Sequence, residues 1–201
     1  MKTENLIAAL AADPTVSQPR PALRIAAGGL VSLLALLAFW HLRPDLARVL
    51  SEPLVLAKFL LPLSLATILW TLRPQQPEGA APLWPALLPA LAAAALFLTS
   101  LPQQDLGAAI LGSSWSTCLF SIPLLALPVG ACIFAALRQT VITRPAHAGL
   151  IAGLFAGAVA AMIYALHCDE DAPAFYAVWY SAGIAISGLI GRVVGRRVLG
   201  V

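Results

Sequence analysis

The chain has 201 residues, of which 60% are hydrophobic and 10% charged, with a formal net charge of +3. A mean hydropathy of +0.88 excludes an ordinary soluble domain, and a nucleic-acid-binding protein would need a basic soluble surface that this composition lacks. There is no CxxC, HExxH or GxSxG motif, so nothing points to a catalytic residue or an enzyme.

In chain order, the first predicted element is residues 1–13, MKTENLIAALAAD. Thr3 suits a helix N-cap and Glu4 the first turn. Leu6, Ile7 and Leu10 then share one face, forming a short amphipathic helix that is only marginally stable alone. Lys2 is its one basic side chain, so it fits a protein partner's groove better than anionic lipid. Pro14, Pro19 and Pro21 make the following stretch a linker. The expected division is a cytoplasmic N-terminal segment and linker over 1–21 and a transmembrane domain over 22–201.

Six apolar runs follow, at 22–42, 53–72, 82–101, 114–137, 146–166 and 174–194. Each has about the 20 residues needed to cross a bilayer as a helix. The first is read as a retained span, because His41, Leu42, Arg43, Pro44 and Asp45 follow Trp40 in place of a small-residue cleavage site. The runs are continuously apolar, unlike barrel strands. The expected fold is an all-α, polytopic six-transmembrane-helix bundle.

Charge sets its orientation. With six spans, one side holds Lys2, Arg20, Arg24, Arg73, Arg138, Arg144, Arg192, Arg196 and Arg197, nine in all; the other holds Arg43 and Arg48. The Lys/Arg excess marks the cytoplasmic side, so both termini are expected in the cytoplasm. Lys58 lies inside the second run. Snorkelling to headgroups or a partner inside the bundle both account for it. Pro62, Pro123 and Pro128 interrupt spans two and four. Gly149, Gly153 and Gly157, with Gly191 and Gly195, suit close helix packing inside the bundle or a dimer seam. Trp84, Trp115, Trp179 and Tyr180 read mostly as interface anchors.

The polar knot of the chain is YALHCDED at 164–171, bringing together His167, Cys168, Asp169, Glu170 and Asp171 on the outward side. Cys118 begins span four at a similar level. Cys132 lies fourteen residues deeper, about 21 Å along a helix, beyond the ~7 Å reach of a disulfide. Cys118 and Cys168 are therefore the one plausible intramolecular pair. Three readings stand open for them: a structural disulfide, a reversible redox or metal sensor, or inert small hydrophobes. In the sensor reading, His167, Asp169, Glu170 and Asp171 are candidate helpers to a metal held by Cys118 and Cys168. Their bland alternative is a solvated acidic loop.

The segments MKTENLIAALAAD, SWSTCLFSIPLLALPVGACIFAALR (114–138), ITRPAHAGL (142–150) and IYALHCDEDAPAFYAVWY (163–180) together resemble the NrsF family of bacterial membrane anti-sigma factors over essentially the whole chain. The resemblance implies a multi-pass protein of the inner membrane that holds an extracytoplasmic-function sigma factor and releases it under heavy-metal or oxidative stress. It implies a response through two cysteines, matching Cys118 and Cys168, and an N-terminal sigma-binding segment. Besides that sigma factor and the lipid bilayer no partner is expected, and no direct nucleic-acid binding. No resident cofactor is expected beyond a transient heavy-metal ion. A small transporter or channel is the alternative, with Lys58, the kinked fourth span and the acidic mouth as its features.

Overall fold

The computed structural model describes residues 21–49, 51–72, 82–100 and 105–200. The expected amphipathic helix with Leu6, Ile7 and Leu10 lies outside the described residues. The described chain is helical: α1 is Pro21–Phe39, α2 Leu46–Val49, α3 Pro53–Thr71, α4 Leu87–Thr99 behind a 3-10 turn Trp84–Ala86, α5 Leu106–Leu111, α6 Trp115–Leu137, α7 Pro145–Tyr164 and α8 Pro173–Val198. Prolines open α3, α7 and α8, where a missing N–H costs nothing.

Among the described residues five helical stretches are long and apolar enough to cross a membrane: Ala22–Phe39, Pro53–Thr71, Leu106–Leu137, Pro145–Tyr164 and Pro173–Val198. The run expected at 82–101 folds as the shorter apolar helix Trp84–Thr99. Its regular α-helical part has 13 residues, about 20 Å at 1.5 Å per residue, against a hydrocarbon core of about 30 Å. Pro85 and Pro89 crowd its beginning and hold the first turn in 3-10 form.

Helix α7 is the axis of the bundle. It packs on α8 most extensively, then on α6 and α3, while α1 leans on α6. Burial follows single helical faces elsewhere: Gly28, Ser32 and Leu36 on α1, and Val55, Lys58, Pro62, Ala66 and Leu69 on α3. Leu30, Leu34, Leu60, Leu91, Phe120, Leu127 and Leu189 point outward and stay exposed, which is the belt a lipid-facing bundle presents. Pro62, Pro123 and Pro128 sit inside their helices without ending them. Ser32 ties α1 to α6 by donating to the Leu125 carbonyl at 2.7 Å.

The glycines of α7 and α8 form an intramolecular seam. A Cβ on Gly149 would run into the Gly191 carbonyl, and one on Gly153 into the Ser187 carbonyl. Gly191 and Gly195 are closed off reciprocally by Gly149 and Pro145. Backbone meets backbone here, so neither helix can yield by rotating a side chain. Gly29, by contrast, has nothing within 4 Å of its would-be Cβ.

Gly153→Ala should therefore lower the thermal midpoint of the detergent-solubilised protein, at a cost of about 1–3 kcal/mol. Gly29→Ala should be neutral or slightly stabilising. Equal midpoints for the two variants would remove the seam as a source of stability.

Candidate functional site

One end of the bundle gathers the C-terminus of α1, the N-termini of α3, α6 and α8, the C-terminus of α7 and the loop 165–172. The backbone folds there first. After α1, His41 takes a left-handed φ of 62° and its N–H closes on the Leu36 carbonyl, a helix stop of the kind described for αL caps. The Arg43 N–H then bonds the Leu166 carbonyl at 3.0 Å, pinning this link to the end of α7. His167 and Cys168 both direct their N–H groups to the Tyr164 carbonyl, so the loop curls over the helix end.

Two cations are buried in this corner. Arg43 is 6% exposed and Lys58 0%. Arg43 grips Asp171 with two bonds of 2.7 Å and Asp45 with bonds of 2.8 and 3.0 Å. Lys58 donates to Asp171 Oδ1 at 3.2 Å and to the Cys168 and Glu170 carbonyls at 2.7 and 2.9 Å. Arg43 Nη1 bonds the same Cys168 carbonyl at 2.9 Å. Thus the carbonyl of one candidate sensor residue is held by both cations. Lys58 does not snorkel outward; its ammonium turns into the loop, where carbonyls and a carboxylate replace water. Burial pushes the Asp171 carboxyl up, but hydrogen bonds from Arg43 and the Lys58 charge outweigh it, and its pKa is lowered. Those bonds to Asp171 and Asp45 likewise raise the pKa of Arg43 against burial.

The sulfurs lie just beneath. Cys118 on α6 and Cys168 in the loop are 0% and 2% exposed and belong to one packed cluster with Tyr164, Phe175, Tyr176 and Tyr180. All three cysteines are free thiols. Cys132 is separate, on the α6 face toward Gly28. Tyr180 is not an interface anchor: it is 3% exposed, and its ring lies under Lys58 Nζ at 5.9 Å. Trp115 and Trp84 do keep exposed faces, while the Trp179 indole N–H bonds the Ile110 carbonyl at 2.7 Å.

The expected helpers are occupied in other ways. Asp171 belongs to the cation lock. Glu170 accepts from the Ser113 N–H at 2.6 Å and its hydroxyl at 2.7 Å, which Gly112 permits by taking a positive φ of 54° beside Phe175. His167 Nδ1 lies 3.1 Å from the His41 carbonyl, and Asp169 is exposed. Among the described residues no group of three or more His, Cys, Asp or Glu converges on a metal-sized site. Arg43 and Tyr180 are the site residues that motif reading passes over, while for Lys58 the partner inside the bundle is the alternative that holds. The one available signal was the shared level of two cations and an acidic run at the outward ends of their spans.

A family model described as "Negative regulator of sigma F", NrsF, matches residues 7–200. The chain belongs to the NrsF family. The anti-sigma-F factor NrsF of Caulobacter vibrioides is 37% identical over 99% of both chains, and the probable anti-sigma-F factor NrsF of Azospira oryzae is 36% identical over the same shares. No solved structure matches. NrsF membership implies a regulatory rather than a catalytic role, and the free, buried thiol pair gives this member a chemically distinctive corner.

In this NrsF chain, Asp171→Asn leaves Arg43 and Lys58 without their shared carboxylate, and loss of such a partly exposed charged partner costs about 1–3 kcal/mol. The variant should melt well below the parent. Since the folded Asp171 pKa is depressed, its stabilisation is present above the ordinary value of 3.8 and is lost as pH falls through the lower folded value. A melting midpoint indifferent to Asp171→Asn would show that the lock is not structural.

Proposed function

We propose that this chain is a multi-pass inner-membrane anti-sigma factor with six spans and both termini in the cytoplasm. It sequesters an extracytoplasmic-function sigma factor and releases it when Cys118 and Cys168, buried at the outward end of the bundle, meet a heavy metal or an oxidant. Three things support the reading: the family match over residues 7–200, the Lys/Arg excess on the side of the termini, and the five membrane-length apolar helices. Counting Trp84–Thr99 as a short, weakly packed span gives the six of this proposal.

The observation that carries the sensing part is the burial of Cys118 and Cys168 in one cluster, directly under the carbonyl clamped by Arg43 and Lys58. Cys118 rides on α6, and Cys168 sits beyond the end of α7. Joining the sulfurs to each other or to one cation favours one placement of α6 against α7, and a ligand shifts such an equilibrium only by its differential affinity for the two placements. Both helices run to the opposite end of the bundle, where Arg138 and Arg144 lie; the proposed sigma-binding residues are Leu6, Ile7 and Leu10. The transporter alternative loses its best residue, since Lys58 is committed to the loop.

Cys118→Ser, Cys168→Ser and the double variant should each abolish induction of a sigma-dependent reporter by cadmium or chromate while repression persists. A normal metal response in the double variant rejects the sensing role. Deleting residues 2–13 should give a high reporter signal without any stress, and the sigma factor should no longer co-purify from solubilised membranes. Continued co-purification removes the tail from the mechanism.

A further inference from the structure

A groove of about 410 Å³ opens between α6 and α8, with α7 as its floor. On the thiol side of the groove the two walls touch: a Cβ on Gly183 of α8 would run into the Ile122 side chain of α6. Beyond that contact the walls part. The α6 wall runs from Pro123 to Arg138 and the α8 wall from Ser187 to Val198. At 1.5 Å per residue these are about 22 and 16 Å long, close to the roughly 15 Å of hydrocarbon in one bilayer leaflet. Gly153 and Ala156 make a floor without bulk, and the exposed side chains of Leu127 and Ile190 form the rims. Ser187 brings a hydroxyl to the lining, but it is spent on the Gly183 carbonyl at 2.9 Å. The slot is otherwise apolar until its far end, where Arg138 stands exposed.

Charge at that end is unbalanced. Arg144, Arg192, Arg196 and Arg197 lie there with Arg138. No Asp or Glu occurs between residues 106 and 168 or after Asp171, so α6, α7 and α8 carry five arginines here and no carboxylate. The ion pairs found among the described residues all lie at the thiol end, and none includes Arg138. Water finds no partners inside an apolar slot. A second copy in the same membrane orientation would bring the same arginines against these. A phospholipid of the basic side's leaflet brings what is missing: a chain of leaflet length and a phosphate at the arginine end. Arginine suits a phosphate by its paired N–H groups, and basic pockets between spans on the cytoplasmic side are where acidic headgroups are held.

We propose that the α6–α8 groove binds one anionic phospholipid of the cytoplasmic leaflet, its acyl chain between the two walls and its phosphate on Arg138. This rests on the membrane orientation given under Proposed function. The bound chain sets the spread between α8 and α6, the helix that carries Cys118.

The test strips full-length protein of lipid in detergent and titrates it with dioleoyl phosphatidylglycerol or dioleoyl phosphatidylcholine. Native mass spectrometry counts bound lipid, and the melting midpoint is followed alongside. One phosphatidylglycerol should bind per chain in preference to phosphatidylcholine and raise the midpoint. Arg138→Gln should weaken phosphatidylglycerol binding about fivefold, the worth of one basic side chain at an anionic surface, and erase the preference. Gly130→Leu should weaken both lipids by filling the slot. A Cβ at Gly130 meets only Ala156, at 3.9 Å, so the lipid-free midpoint should hold. Ala131→Leu, at an exposed lining position, gives the same readout should Gly130→Leu fail to fold. Arg48→Gln, at the thiol end, should change nothing. Equal binding of the two lipids by the parent overturns the proposal, as does undiminished binding in the slot-filling variants. A parent dimer that those variants turn into monomer overturns it too, assigning the groove to a second copy. A parent that stays in carbonate-washed membranes but shows no lipid preference overturns the lipid site alone. A chain that carbonate washes off overturns the membrane reading with it.

Discussion

The carboxylate of Asp171, set between the guanidinium of Arg43 and the ammonium of Lys58, is the contact on which the outer end of this bundle depends. Two cations buried in a membrane protein are tolerable only with a counter-charge and enough acceptors. The carboxylates of Asp171 and Asp45 and two backbone carbonyls provide both. The same bonds tie the α1–α2 link, α3 and the α7–α8 loop into one unit. The lock fixes the Cys168 backbone from two directions while leaving its sulfur in the apolar layer below. A rigid backbone with a chemically free side chain is the arrangement a thiol site needs, because chemistry at sulfur then has a fixed frame to act against.

The bundle holds itself together in two different ways. The α7–α8 seam is backbone against backbone, closed at Gly149, Gly153, Gly191 and Gly195, and has no slack. On the other side, α4 buries only Pro89 and Ala93 and touches α3 and α8 lightly. Rearrangement is cheaper where side chains rather than backbones meet. The α7–α8 pair is therefore stiff, and the joints of α4 are the softer ones.

Much of this architecture was legible in the sequence because hydrocarbon imposes a length. Five of six apolar runs became membrane-length helices within a few residues of their expected bounds. The 82–101 run did not, since Pro85 and Pro89 lie within it and its regular helix is cut to Leu87–Thr99. The glycine spacing told of close packing, and the structure resolved it as internal. The levels of Cys118 and Cys168 followed from helix rise, and both fall in one cluster. What could not be read was pairing across distance: Lys58 and Asp171 are 113 residues apart, and no local pattern links them. The acidic loop looked solvated for the same reason. Tyr180 looked like an interface anchor because its neighbour Trp179 shares its depth; only the rotation of α8 about its own axis separates them.

That long separation between Lys58 and its carboxylate has a consequence for how the protein is made. Ribosomes add about 5–20 residues per second, so α3 waits on the order of 6–20 s before Asp171 exists. Arg43 has Asp45 beside it from the start, but Lys58 has no such companion and must keep its ammonium at the water interface meanwhile. The outward reach of that side chain, wrong for the finished bundle, describes the nascent one. A chain interrupted before residue 171 carries an unneutralised cation in α3, because the carboxylate that pairs with Lys58 has not been made.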